Sequence, residues 1–386
     1  MNNTPQLRFP GFTGEWSEKK LGEVTNNEDS KRRPVSKMNR NEGSFPYYGA
    51  NGIQDYVDEY LFDGEYLLIG EDGSVINKDQ TPVINWATGK FWVNNHAHVL
   101  SEKKDYCLKY ISLILSTIKI PGLVTGIPPK LNQENLSNIS ILLPSPAEQQ
   151  KIADCLSALD DLISAQGEKV DALKTRKKGL MQQLFPQNGE TTPRLRFPGF
   201  TGEWSERKLG ESFEERTEKN RGDLPLLSLG ENGLVLQSET DRKDNSNADK
   251  SKYLRVAIGD IAYNTMRMWQ GRCVIAKIEG IVSPAYTVCK PMEDVVSLFH
   301  YYLFKTDQMI HIFHQNSQGL VSDTLNLKYE AFAKIKYYLP SPAEQQKIAS
   351  CLSALDDLIA SESAELEALN AHKKGLMQQL FPEPAK

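Results

Sequence analysis

Leu143-Pro144-Ser145-Pro146-Ala147-Glu148-Gln149-Gln150-Lys151-Ile152-Ala153 returns letter for letter as Leu339–Ala349, 196 residues later. Ser145 suits an N-cap, Pro146 the first helical position and Glu148 the third, so the stretch opens a helix with a capping box. Apolar residues then fall at Ile152, Leu156, Leu159, Ile163, Val170, Leu173, Leu180 and Leu184. With Gln166 and Lys177 in the polar slots the spacing alternates four and three, which is a heptad seam, and Pro186 ends it. The second arm repeats the seam as Ile348, Leu352, Leu355, Ile359, Leu366, Leu369, Leu376 and Leu380, with Glu362 and Lys373 in the polar slots. Each helix is expected to run about forty residues, roughly 60 Å. A two-sided seam in two copies predicts that the arms pack on each other; the alternative is that each packs on its own globular insert.

Outward from the arms, Leu7–Glu18 returns as Leu195–Glu206 at an offset of 188, and Lys177–Pro186 as Lys373–Pro382 at 196. The second insert has therefore gained eight residues, and the chain is a tandem duplication of one domain plus one helix. The predicted division is a first head at 1–143, a first helix at 144–186, a second head at 187–339 and a second helix at 340–386. Both inserts read as mixed α/β. Short strands broken by Gly and Asn lead to a helix, around Tyr106–Ile118 and Val295–His314, and then to Gly122-Leu123-Val124 or Gly319-Leu320-Val321. Gly64–Ile69 aligns with Gly259–Asn264, and Ala97-His98 with Ala285-Tyr286. Eight residues join Pro186 to Leu195, and ten would join Pro382 to Leu7, so the chain ends are expected to lie close together.

The 386 residues, 39% hydrophobic and 25% charged, describe a globular chain of two or more folded units. A net charge of −5 excludes a polybasic tail but leaves room for local basic patches. Five Cys without a C-x-x-C pair and six scattered His suggest neither a disulfide framework nor a zinc site, and no metal is expected. No apolar h-region follows Met1, and the most apolar stretch, Tyr106–Val124, carries Lys109 and Lys119. The expectation is a cytoplasmic protein with reduced thiols and no membrane partner. Catalytic motifs fail together. Thr88-Gly89-Lys90 lacks the upstream Gly of a phosphate loop and runs into Phe91. G-x-S-x-G and H-E-x-x-H are missing, and Ile127-Pro128-Pro129-Lys130 lacks the shape of an amino-methyltransferase site. Cys155 and Cys351, beside seam residues, read as structural thiols.

Two opening motifs, two divergent inserts and two copies of Leu-Pro-Ser-Pro-Ala-Glu-Gln-Gln-Lys-Ile leading into heptad helices resemble the specificity (S) subunit of type I restriction-modification enzymes. The resemblance covers essentially the whole chain. It implies two target recognition domains, each reading one half of a bipartite, asymmetric site in double-stranded DNA, and two long antiparallel helices as spacer. It further implies that two modification (methyltransferase) subunits dock on the helices and that restriction (endonuclease and motor) subunits join them. S-adenosylmethionine, ATP and Mg²⁺ would sit on those partners and no cofactor on this chain. The complex, and not the chain, would methylate adenine N6 and restrict DNA with ATP.

In the first insert Lys31, Arg32, Arg33, Lys37 and Arg40 are the densest basic cluster, read as phosphate contacts or as a solvated loop. Gly70-Glu71-Asp72-Gly73-Ser74 is either a groove-entering loop or a plain turn. Asn94 and Asn95, with His96, are candidates for adenine edges, against an ordinary loop. The second insert offers Asn264, Arg267, Trp269, Gln270 and Arg272. Arg can fork onto guanine, Gln onto adenine, and Trp can lie against a thymine methyl or the sugar wall. The competing reading puts Met266, Met268 and Trp269 in the core with the arginines snorkelling outward. Lys243, Lys250, Lys252 and Arg255 read as phosphate contacts or solvated charge. Two other function classes stay open: a coiled-coil scaffold with two protein-binding heads, and an unrecognised nuclease or methyltransferase.

Overall fold

The computed structural model describes residues 4–187, 189–230, 233–240, 246–319 and 324–382. Among them no helix is long and apolar enough to cross a membrane. The chain divides into two compact units, residues 1–167 with 364–386, and residues 168–363. Each unit takes one insert and half of each long helix.

The first unit runs β1 (Ser17–Lys20), α1 (Leu21–Val24), β2 (Thr25–Asn27), β3 (Glu42–Gly49), β4 (Gly52–Val57), β5 (Phe62–Gly70), β6 (Ile84–Val93), β7 (Ala97–Glu102), α2 (Leu108–Leu115), α3 (Gln133–Ser137), β8 (Ser140–Leu143) and α4 (Pro146–Leu184). Strands β2-β7-β5-β6-β3-β4 form one sheet, and β1 pairs with β8 apart from it. The second unit runs β9 (Ser205–Lys208), α5 (Leu209–Ser212), β10 (Phe213–Glu215), β11 (Leu227–Gly230), β12 (Gly233–Leu236), β13 (Leu254–Val256), β14 (Ile261–Asn264), β15 (Cys273–Ile275), β16 (Gly280–Val282), β17 (Tyr286–Pro291), α6 (Ser297–Leu303), α7 (Asp307–Asn316), α8 (Tyr329–Phe332), β18 (Lys336–Leu339) and α9 (Pro342–Leu380). Its main sheet is β10-β17-β14-β15, and β9 pairs with β18 as β1 does with β8.

Three sequence expectations need correction. The stretch 295–314 is two helices, because Thr306 Oγ1 accepts from the Met309 amide at 3.3 Å and starts α7 afresh. The landmark pairing slips by one residue: Gly70 lies opposite Ala97 and Asn264 opposite Tyr286, so Gly70 corresponds to Asn264 and Ala97 to Tyr286. On a strand such a slip exchanges the two faces, which is why it matters for the site. Gly319 corresponds to Gly126 and not to Gly122, since the Gln318–Asn326 bridge stands where Thr125–Lys130 does. Leu320 and Val321 lie outside the described residues.

The letter-for-letter repeats have a physical reason: they touch each other. Ser145 Oγ caps the Glu148 amide at 3.4 Å, but the Glu148 carboxylate does not complete the capping box. It takes Arg8 in a two-pronged pair, 2.7 Å at each oxygen. Arg196 and Glu344 repeat the pair at 2.8 and 2.7 Å. The buried Gln149 accepts from the Cys107 amide at 3.1 Å, just ahead of α2, and Gln345 accepts from the Val296 amide at 2.9 Å ahead of α6. In the first unit the Leu7 amide donates to the Gln379 carbonyl at 3.0 Å; in the second, Leu195 donates to Gln183 at 3.0 Å. The N-terminal motif thus meets the end of α9, as the junction lengths predicted.

All the seam positions are buried or half-buried. Ile152 and Leu156 join the core of the first unit, with Leu376 and Leu380 of α9 against it. Ile348 and Leu352 join that of the second, with Leu180 and Leu184 of α4. Polar slots bridge the helices: Lys177 meets Asp356 at 2.5 Å, Lys373 meets Asp160, and Lys169 meets Glu362 at 2.7 Å. Residue numbers rise on one helix as they fall on the other, so in each unit the segments run antiparallel. Both packing alternatives are seen in part: the first turns of each helix pack into the core of their own unit beside the end of the other helix, and ion pairs join the two helices within each unit.

The copies differ in one buried layer. In the second unit His300 Nε2 lies 2.9 Å from the Tyr337 hydroxyl, which lies 2.5 Å from Ser212 Oγ. The matching positions of the first unit are the buried Ile111, Ile141 and Val24. Burial pushes the His300 imidazole from 6.5 down to about 4. The unfolded chain therefore binds the proton first, so this stability is complete above pH 6.5 and is lost as pH falls towards about 4. The loss should reach about 3 kcal/mol. Urea titrations at pH 7 and pH 5 should show the second unit weakening, and His300→Leu should remove that share of the slope.

Candidate nucleic-acid interface

The loop after β14 is built to display side chains. Met268, fully buried, pins a short 3-10 turn against α7, and the Trp269 indole N–H donates to the Met266 carbonyl at 2.9 Å. Trp269 stands edge-on to His314 at 5.7 Å. Gly271 closes the turn at φ +70, where a Cβ would meet Ile310 at 3.1 Å. With alternate residues tied inward, Arg267, Gln270 and Arg272 point to solvent. Neither guanidinium has an ion-pair partner among the described residues. Arg267 and Arg272 line an open cleft of about 490 Å³ with Ser228, Leu229, Gly230, Asn264 and Tyr286. Asn264 Oδ1 accepts from the Met266 amide at 3.0 Å, so half of that side chain serves the turn. The two readings of this loop divide between residues: Met268 is core, Trp269 half-buried, Met266 exposed, and the arginines free.

The matching rim of the first unit carries different chemistry. Asp29, Glu71 and His98 converge, their ligand-type atoms within 4.8 Å of one another. His98 Nδ1 lies 2.6 Å from Asp29 and Nε2 2.8 Å from the Leu131 carbonyl. Arg32 donates to Glu71 at 2.6 Å and to the Ala97 carbonyl at 2.7 Å, and Lys130 reaches Glu71 at 3.1 Å. Burial acts to raise the Asp29 carboxyl, but the contacts with His98, the Val99 amide and Arg32 outweigh it and hold it below its ordinary value. Two side-chain cations already neutralise these carboxylates, so the trio does not call for a metal. By register and shared backbone hydrogen bonds, the same three positions in the second unit are Thr217, Thr265 and Thr287.

The basic cluster therefore splits. Arg32 is a strut, mostly buried, which corrects its reading as a phosphate contact. Arg40 is tied to Asp55 at 3.1 Å and lies over the Tyr47 ring at 4.0 Å. Lys31 pairs with Glu28 at 2.7 Å while remaining half exposed. Arg33 and Lys37 are exposed. Asn94 is buried, and its Oδ1 takes the His96 amide at 2.8 Å, so it is a turn residue and not a base reader. Asn95 is exposed, and His96 pairs with Asp72. Gly73 at φ +77 and the internal pairing of Glu71 make the Gly70–Ser74 segment a turn. In the second unit Lys252 is exposed, whereas Arg255 is held by Glu218 at 2.7 Å and Glu279 at 2.6 Å, and Lys250 lies over Tyr253. Lys243 lies outside the described residues. Ser228 and Tyr286 escaped the sequence reading because each joins the cleft through strand pairing, with no local signal.

Two copies of one frame with unlike rims match a known family. The model of the type I restriction modification DNA specificity domain matches twice, at residues 13–175 and 202–371. The chain belongs to this family. A putative type I restriction enzyme specificity subunit of Haemophilus influenzae is 41% identical over 155 residues, a match spanning 40% of this chain and 39% of that one. The MjaVIII specificity subunit of Methanocaldococcus jannaschii is 23% identical over 97% of this chain and 93% of its own. The solved S subunit of M. genitalium shares the fold at a TM-score of 0.68 and 16% identity, covering 99% of this chain and all of that one. As a type I specificity subunit with two target recognition domains, this chain resembles non-catalytic proteins.

Proposed function

We propose that each unit of this specificity subunit reads one half of a bipartite, asymmetric sequence in double-stranded DNA. The helices space the halves and dock two modification subunits. Those subunits carry S-adenosylmethionine and the adenine N6 chemistry, restriction subunits add ATP- and Mg²⁺-dependent cleavage, and the complex works in the cytoplasm. One observation carries the reading: the frame is duplicated to the hydrogen bond, while the rim after β14 presents two unpaired arginines in a cleft and the rim after β5 presents a neutralised network. Unlike rims on like frames suit two different half-sites. Arg267 and Gln270 are the proposed base readers, with Arg272; Arg33, Lys37 and Lys252 hold phosphates, which set affinity without sequence.

Half-site centres about one helical turn apart, with halves of three to four bases, leave roughly six unspecified bases between them. Co-expression with a cognate modification subunit and mapping of methylated adenines across a genome should return such a split, non-palindromic motif. A continuous motif counts against the reading. Failure to retain DNA beside that subunit favours a protein-binding scaffold.

A further inference from the structure

Ile127 is a fully exposed aliphatic residue at the tip of a closed loop. The Thr125 amide donates to the Lys130 carbonyl at 2.9 Å and Lys130 donates back at 2.7 Å. The Gly73 amide, from the turn after β5, donates to the Pro129 carbonyl at 3.0 Å, and Lys130 Nζ anchors to Glu71. Gly126 turns the chain at φ +82, and Pro128 and Pro129, both exposed, stiffen the tip. An isolated surface aliphatic is ordinary; one held rigidly outward by four anchors on the rim of a recognition domain is not. The corresponding loop of the second unit springs from the Gln318–Asn326 bridge, and there too the sequence puts an aliphatic residue, Leu320, after the glycine. Just past that bridge the Leu327 amide donates to the Thr265 carbonyl at 2.8 Å, as the Leu131 amide does to the Glu71 carbonyl at 2.8 Å.

We propose that the Gly126–Pro129 tip is an apolar wedge that seats Ile127 between two base pairs of the half-site bound by the first unit. The proposal rests on the DNA-reading function above. Small aliphatic and proline side chains on a stiff support unstack a base step, and the DNA bend that follows brings more backbone onto the protein. The wedge has no hydrogen-bonding atoms, so it selects steps that unstack easily, pyrimidine–purine steps above all, and reads deformability where the second unit reads edges.

The test uses the full chain with its modification subunits and a duplex carrying the motif found by methylation mapping. 2-Aminopurine is placed in turn at each base of the first half-site except the methylated adenine. Wild type should raise the fluorescence at one step several-fold. Ile127→Ala should abolish that rise and bind about tenfold more weakly, while Ile127→Met keeps both. Because the Ile127 side chain is fully exposed, the substitution leaves the fold intact, which the thermal melt checks. Equal fluorescence profiles and affinities for wild type and Ile127→Ala overturn the wedge while leaving the DNA reading standing. The same holds if Ile127→Ala loses the modification subunit but not the fluorescence rise. A wild-type complex that retains no duplex overturns the DNA reading itself.

Discussion

Glu344→Ala should destabilise the second unit by about 3 kcal/mol. Glu344 is buried and takes both prongs of Arg196, whose Nη1 also holds the Gly202 carbonyl at 2.5 Å. Truncation leaves the guanidinium at the foot of α9 without its carboxylate, and it unties the opening motif from the arm. The estimate sits at the low end for a broken buried pair because Arg196 keeps some solvent, with 18% of its side chain exposed. Glu148→Ala should do the same to the first unit through Arg8. Urea denaturation followed by probes in each unit measures both. A shift under about 1 kcal/mol in the unit that carries the change would show that the repeated motifs do not lock each other.

Arg267→Ala and Arg32→Ala should separate reading from holding. Arg267 is exposed, lines the cleft and has no ion-pair partner among the described residues; its loss should cost roughly 1–3 kcal/mol of discrimination and relax one position of one half-site. The half read by the first unit should not change. Arg32 is internal to the Asp29–Glu71–His98 network, so its loss should lower the stability of the first unit by about 2 kcal/mol and leave the salt dependence of DNA binding nearly untouched. Methylation motifs of the two variants, with affinity measured at several salt concentrations, decide the matter. If Arg267→Ala leaves the motif intact and merely loosens the fold, the loop from Asn264 to Arg272 is scaffold. A salt slope lowered by about one unit in Arg32→Ala would restore it as a phosphate contact.

The arms were legible because helix capping and heptad spacing are local signals: Ser145-Pro146 and the run from Ile152 to Leu184 placed a helix at 144–186, and α4 runs Pro146–Leu184. The duplication was legible as plain text. The inserts were harder. Their strands are short, and only pairing across the sheet fixes register, so Gly70 and Asn264 could not be matched from sequence to better than one residue. Charge density alone made Arg32 look like a DNA contact, because Asp29, Glu71 and Ala97 reach it only in the folded sheet. Asn94 failed for a related reason: a short Asn side chain satisfies its own turn as readily as it reads a base. Arg267 and Arg272 stood out in the sequence by residue type, and the fold adds only that both are exposed around the buried Met268.

Two like frames are proposed to read two unlike half-sites, spaced by antiparallel arms. In the first unit Leu7 meets Gln379, and in the second Leu195 meets Gln183, so either insert is supported by the same opening motif and the same arm end. An insert should therefore work in either place. The most direct measurement is the methylation motif of a chain in which residues 205–339 are replaced by residues 17–143, co-expressed with the modification subunit. That chain should methylate an inverted repeat of the half-site read by the first unit, at the wild-type spacing. An unchanged asymmetric motif from a folded and assembled complex would show that the inserts do not read the half-sites.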